Sequence, residues 1–351
     1  MPALKRVLLS LLAVAVAGCS GLGPGYYWQA MSGQMEVVRK TQPITEVLAA
    51  PETTPAMRER LKLVGEIRAF ASSELGLPDN ESYRRYADLG RASVVWNVFA
   101  NPSLSLQPKT WCLPVAGCVG YLGFFSEAAA QARAAELKAE GMDVLVGGVP
   151  AYSTLGWFSD PVLNTFVNWP EPDLARLIFH ELSHQLIYAK GDTEFNESFA
   201  VTVEQAGVRR WLAAHGKHGT IAQLEHAERM NEDFSALVLK YRDALMAIYQ
   251  GAGSDADKLA RKQAQIAAMR VEYESIKRER WGGATGYDKW FAQDINNAVF
   301  ASVGFYLGLV PDFTALLKAQ DGDLPRFYAQ VRHLAALSLE QRRVALRAVP
   351  R

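Results

Sequence analysis

The chain has 351 residues, 49% of them apolar, and its 37 lysines and arginines balance 37 aspartates and glutamates. Length and composition allow a sizeable folded body, about 330 residues once an N-terminal leader is removed, built as one large domain or two intimately packed ones. Zero net charge, with no basic stripe and no low-complexity tract, excludes an electrostatic basis for nucleic-acid binding.

Residues 1–18 read as a signal peptide: Lys5 and Arg6 precede an apolar run from Val7 to Ala17, shorter than the roughly 20 residues a bilayer-spanning helix needs. The run ends in Val16-Ala17-Gly18-Cys19, the pattern of a lipoprotein cleavage site, where small residues admit a peptidase that cuts before a cysteine to be acylated. An ordinary signal peptide with an incidental cysteine is the alternative. Ser20, rather than aspartate, follows Cys19, which directs a bacterial lipoprotein to the outer membrane. The expected mature protein is therefore a periplasm-facing envelope lipoprotein, joined to the membrane through its N-terminal acyl anchor. Once Cys19 is acylated only Cys112 and Cys118 remain, in a Pro- and Gly-containing loop; an even pair in an exported chain predicts a disulfide.

From Gly25 to about Gly90 the pattern is helical, with 33–48 interrupted at Pro43 and a helix carrying Met57, Leu61, Leu63, Val64, Ile67 and Phe70 before Gly76 stops it. ASVVWNVFAN and MDVLVGGVPAY read as strands, and EAAAQARAAELKAEG between them reads as a helix ended by Gly141. This predicts a small sheet with a crossing helix between Ala92 and Phe166, the only β material of the chain. AYSTLGWFSDPVLN, residues 151–164, is a candidate edge for pairing with an extended peptide, a buried loop or ordinary strand being the alternative.

Glu171-Pro172-Asp173 opens the next helix and Gly191 is its natural stop, with Leu174, Leu177, Ile178, Leu182 and Ile187 supplying buried surface. His180 and His184 then stand one turn apart on one face, where both imidazoles reach one cation. Glu181, about 100° round the helix from His180, holds a carboxylate beside that cation without taking a coordination position. A hydrolytic zinc centre needs a third protein ligand and leaves the fourth position open. The candidates are Asp192, Glu194, Glu197 and Glu204, on or before a second helix over Phe195–Trp211. Glu197 is preferred because the connection is short. Glu204 is either the ligand instead or an acceptor that orients a ligand histidine, and Asp192 reads as a turn residue. Two imidazoles and one carboxylate favour Zn²⁺ as the cofactor. His215, His218, His226 and His333 read as surface or structural histidines.

LIFHELSHQ followed by NESFA resembles the gluzincin metallopeptidases, in which a His-Glu-x-x-His helix precedes a helix beginning Asn-Glu-x-x-Ala; Asn196, Glu197 and Ala200 match the latter. The intervening segment is shorter than in the familiar gluzincin aminopeptidases, and their Met-Glu-Asn motif is absent. The longer set YYWQAMSGQ, WCLPVAGCVGY, GWFSDPVLNTF, GDTEFNESFA and INNAVF is similar to a bacterial predicted aminopeptidase family of lipoproteins. The resemblance implies a predominantly helical α+β fold with a zincin-like catalytic body, a zinc metallopeptidase activity on peptide substrates of the envelope, His180, His184 and Glu197 as metal ligands, and Glu181 as general base. Aminopeptidase and endopeptidase both remain open. Gluzincins also supply an oxyanion donor from a tyrosine or histidine; Tyr306 is the first candidate, near Asn296 and Asn297 on an apolar helix, and Tyr152 the other, with a core tyrosine as the alternative.

Residues 221–281 step in threes and fours through Ile221, Leu224, Met230, Phe234 and onward, turn at GAGSDAD, and return through Leu259, Ile266, Met269 and Tyr273, a long helical hairpin. The expected organisation is a leader over 1–18, a catalytic body over 19–220, the hairpin over 221–281, and helices over 282–351 that close the catalytic body. A different function class, a non-catalytic envelope scaffold or chaperone with a structural metal site, uses the same hairpin.

Overall fold

The structure is a computed structural model that describes residues 22–113, 117–152, 154, 158–304 and 308–350. Its first half runs α1 (Pro24–Lys40), β1 (Gln42–Pro43), α2 (Ile44–Ala49), α3 (Pro55–Ser73), β2 (Arg85–Ala87), β3 (Val95–Pro102), β4 (Trp111–Leu113), β5 (Gly117–Val119), β6 (Tyr121–Phe124), α4 (Glu127–Ala139), β7 (Met142–Val149) and β8 (Val162–Leu163). Helices then follow without interruption by strands: α5 (Glu171–Leu186), α6 (Thr193–Ala214), α7 (His218–Gln250), α8 (Asp255–Glu279), α9 (Asp288–Ala292), α10 (Asn297–Gly304), α11 (Val310–Ala319), α12 (Leu324–Ala336) and α13 (Leu339–Arg347). The fold is α+β and predominantly helical. Among the described residues no helix is long and apolar enough to cross a membrane.

Two compact units are each assembled from separated stretches of chain, one from residues 22–39, 95–149 and 232–302, the other from 40–94, 150–231 and 303–350. The hairpin segment falls across both, passing from one to the other at Asn231 and Glu232.

In the first unit β3 is the centre of an antiparallel sheet in the order β6-β3-β7, with Val98 opposite Leu122 on one side and Val146 on the other. Period-two alternation puts Trp96, Val98, Ala100, Leu122 and Phe124 into one core with Ala130, Ala134 and Leu137 of α4. Small alanines let that helix lie close to the sheet. Ser126 caps its N-terminus through Ala129 N–H, and Gly141, at φ +80°, turns the chain out of it. Cys112 and Cys118 are directly opposed on β4 and β5 and joined by a disulfide. At the hairpin turn Ser254 and Asp257 form a reciprocal capping box at the start of α8. Asn296 and Asn297 have the polar partners that burial demands. Asn297 donates to the carbonyls of Pro102 and Ser103 at 3.0 Å and accepts from the Tyr249 hydroxyl at 2.7 Å, and Asn296 donates to Val144 O at 3.3 Å.

In the second unit β1 pairs antiparallel with β2, and β2 pairs parallel with β8. The expectation of a single β region is corrected by this second sheet, whose strands of two or three residues are too short to show a period. Among its described residues, the expected peptide-pairing segment over 151–164 is strand only at Val162–Leu163, and the described remainder is a loop folded around Asp160. The core lies between helices. Phe70 meets Trp211 edge-on at 5.2 Å, and Phe199 stacks on Phe327 at 5.9 Å. Phe199 and Phe327, fully removed from water, each contribute about 1.5–3 kcal/mol. Helices α5 and α6 pack tightly at Gly207, where a Cβ would stand 2.8 Å from both Phe179 of α5 and Leu75. That closeness brings the polar faces of the two helices together.

Candidate metal centre

Helix α5 buries Leu174, Ile178, Phe179 and Leu182 completely, and this fixes its rotation. Glu171, in the first turn, accepts from Trp211 Nε1 at 2.8 Å and from Lys217 Nζ at 2.6 Å, tying the start of α5 to the far end of α6. With the apolar stripe committed to the core, His180 and His184 come to one face. Their rings meet edge to face with centroids 4.8 Å apart.

The helix ends at Leu186, not at the expected Gly191, because the chain is drawn away to meet Asn196. Ile187 is extended (φ −143°, ψ 128°), and the Asn196 amide accepts from Ala189 N at 2.7 Å and donates to Ala189 O at 2.9 Å. Gly191, at φ +79°, completes the reversal. Asp192 caps α6 by accepting from Phe195 N at 3.2 Å. Its buried carboxylate also accepts from Arg342 Nη1 and Arg343 Nη2, each at 2.6 Å. The helix therefore starts two residues earlier than expected, at Thr193, and Glu197 lands in its early turns facing the histidines.

Glu197 Oε2 is 3.2 Å from His180 Nε2, Glu197 Oε1 is 3.6 Å from His184 Nε2, and the two Nε2 atoms are 3.2 Å apart. These three residues form the cluster of potential metal ligands among the described residues. Ligands about 2.05 Å from a tetrahedral zinc stand roughly 3.3 Å from one another, so the triangle has the dimensions of three corners of such a site. Glu204 Oε2 lies 2.8 Å from His180 Nδ1. A carboxylate only accepts, so Nδ1 carries a proton, and Nε2 of the same ring is turned toward Glu197 and His184. With that ring neutral, Nε2 offers a lone pair that fits a cation; with it protonated, Nε2 donates to Glu197 instead.

In the metal-free protein the neighbouring carboxylates and histidines set the electrostatics of the cluster. Burial pushes the Glu197 carboxyl up, but hydrogen bonds from His180 and His184 outweigh it and bring it down to about 2. Burial would lower the His180 pKa, yet hydrogen bonds to Glu197 and Glu204 hold it well above the ordinary histidine value. Glu181 is buried near the cluster, and burial, the largest influence, raises its carboxyl. His184 Nδ1 is buried with no hydrogen-bond partner among the described residues. Cys19 and Tyr306 lie outside the described residues; Leu309, three residues after Tyr306, donates its N–H to Ser198 Oγ of α6 at 3.3 Å, and Gly308 packs against Glu194 so closely that a side chain there would collide.

A family model described as "putative aminopeptidase" matches residues 25–346. The chain belongs to that family. No curated protein and no solved structure matches it. Membership in this aminopeptidase family points to peptidase activity, and the match spans both histidines, Glu181, Glu197 and the disulfide.

Around the centre this family member carries a polar shell that spacing along the sequence did not reveal. Gln185, on the motif helix, donates to Asp160 Oδ2 at 3.1 Å and accepts from Asn80 Nδ2 at 2.7 Å. Asp160 also accepts from Thr154 Oγ1 at 2.7 Å, and its own N–H donates to Ser82 Oγ at 3.3 Å. Arg68 holds the loop below by donating to Ser82 O and Pro78 O at 2.8 and 2.7 Å. Tyr83, fully buried at φ +63°, donates its N–H to Asp160 O at 2.7 Å. Burial, then the charges of Glu181 and Asp160, raise its phenol well above the ordinary value, so it remains a neutral hydroxyl.

Proposed function

We propose that this chain is a zinc-dependent peptidase of the bacterial cell envelope, with His180, His184 and Glu197 as metal ligands. The supporting observation is the triangle of 3.2, 3.2 and 3.6 Å between their donor atoms, with Glu204 fixing the first imidazole. Bound there, Zn²⁺ supplies Lewis acidity, lowering the pKa of a water molecule and polarising a substrate carbonyl. Glu181 acts as general base: it takes the proton of the attacking water and passes it to the leaving amine. A carboxyl raised by burial is suited to holding that proton between the two transfers. Tyr306 donates to the oxyanion as charge develops on the carbonyl oxygen. Cys19 carries the acyl anchor, and the substrate is a peptide reached from the periplasm.

The test is metal content by elemental mass spectrometry on the mature chain, with His184→Ala, Glu197→Ala and Glu181→Gln alongside, followed by a peptide-library assay with free and N-acetylated peptides. The reading requires one zinc per chain in the parent and in Glu181→Gln, loss of zinc in the two ligand variants, and hydrolysis by the parent alone. Cleavage restricted to free amino termini makes the enzyme an aminopeptidase. A parent without zinc overturns the reading.

A further inference from the structure

Helix α1 has two apolar faces. Along one, Gln29 donates to Gly123 O at 3.1 Å and accepts from Phe125 N at 3.0 Å, Gly33 lies so close to Phe125 that a side chain would collide, and Val37 is buried. This face docks the helix onto the β6 end of its own unit. At about 100° per residue the opposite side, about 180° away, carries Trp28, Met31, Met35 and Val38 within an arc of about 80°. They are 68, 58, 49 and 41% exposed. Ser32 and Arg39, also exposed, border the stripe. A docked helix has no folding reason to show water a row of this composition.

The chain before the helix says what covers it. Leu22 is buried in the core of the same unit with Trp96, Phe124 and Leu137, so the polypeptide is pinned to the folded body three residues after Cys19. Three residues span at most about 11 Å. If Cys19 is acylated, as proposed above and on which this inference rests, no linker separates the body from the leaflet that holds the acyl chains. We propose that α1 lies on that membrane surface, with Trp28, Met31, Met35 and Val38 set into the boundary between headgroups and acyl chains. Tryptophan belongs at that depth, and Arg39 is placed to meet lipid phosphate. The helix supplies the second membrane contact that a covalently anchored protein needs for a fixed attitude.

The experiment separates the helix from the anchor. Mature chain with Cys19→Ser, which carries no acyl group, is floated with vesicles of phosphatidylethanolamine and a minor share of phosphatidylglycerol. Its partner is the same chain with Trp28→Ser, Met31→Ser, Met35→Ser and Val38→Ser, whose far-ultraviolet dichroism and Tm are required to match. The expected result is vesicle binding at least about tenfold weaker in the serine variant, a difference of about 1.4 kcal/mol. Equal flotation of the two, or none by either, overturns the inference. A parent that is dimeric in sedimentation, monomeric as the serine variant and unbound to vesicles also overturns it, and assigns the stripe to a second copy. Radiolabelled palmitate incorporation into the full chain, lost in Cys19→Ala, judges the anchor independently.

Discussion

Glu204 stands two turns beyond Glu197 on the same helix, and its Oε2 lies 2.8 Å from Nδ1 of His180 while Glu197 Oε2 lies 3.2 Å from Nε2 of the same ring. One imidazole is thus gripped from both nitrogens by one helix. Replacing Glu204 with glutamine keeps its shape and removes the charge that fixes the tautomer. Zinc affinity is expected to fall about 10–100-fold, read by competition with a chromogenic chelator. An unchanged affinity would show that His180 is oriented by packing alone.

Asp192 and Arg342 are both buried and ion-paired at 2.6 Å. Asp192→Ala leaves a guanidinium without its counter-charge and removes a helix cap; the expected cost is about 3–5 kcal/mol, measured by urea denaturation. A loss below 1 kcal/mol, the range of exposed pairs, would mean that Arg342 finds water or another acceptor.

Gly207→Ala places a methyl group 2.8 Å from Leu75 and Phe179. Overpacking of this kind costs about 1–3 kcal/mol, and because the helices that part are those carrying the proposed metal ligands, zinc affinity is expected to fall together with Tm. Calorimetry and chelator competition on one preparation check the pairing of the two losses.

The metal-free protein has a defined pH profile. Glu197 is lowered from 4.5 to about 2, so its contribution to stability is present above about 4.5 and lost as pH falls toward about 2. His180 is raised above 6.5, so its contribution is complete below 6.5 and lost as pH rises through the folded value. The chelated protein is therefore expected to gain most from this pair between about pH 4.5 and 6.5. Scanning calorimetry of parent and Glu197→Gln across pH checks it: the difference in Tm is largest in that window, and a constant difference would refute the assignment.

How much was legible depended on the range of the interaction. His180 and His184 announce themselves through helical periodicity, and Asn196-Glu197 through nearness in the chain. The caps at Ser126 and Ser254 act within one turn, so local residues specify them. Asp160, Ser82 and Asn80 meet Gln185 across separations of 25 to 105 residues, where no period connects them. The end of α5 was misplaced for a related reason. A glycine marks where a helix is free to stop, but the Asn196 clamp on Ala189 decides where this one does. The division into two units built from alternating stretches of chain has no local signature, because each is closed by segments far apart in sequence.

The capping of Asp192 by Arg342 and Arg343, 150 and 151 residues downstream, has a consequence for the order of events during folding. The histidines and Glu197 span fewer than twenty positions, yet the turn between them is locked by side chains synthesised about 150 residues later. A nascent or truncated chain holds all three ligands without the clamp that sets their spacing. If the proposed centre binds zinc, full affinity is expected only after closure of the whole unit, and a fragment ending before α13 is expected to bind more weakly than the complete unit.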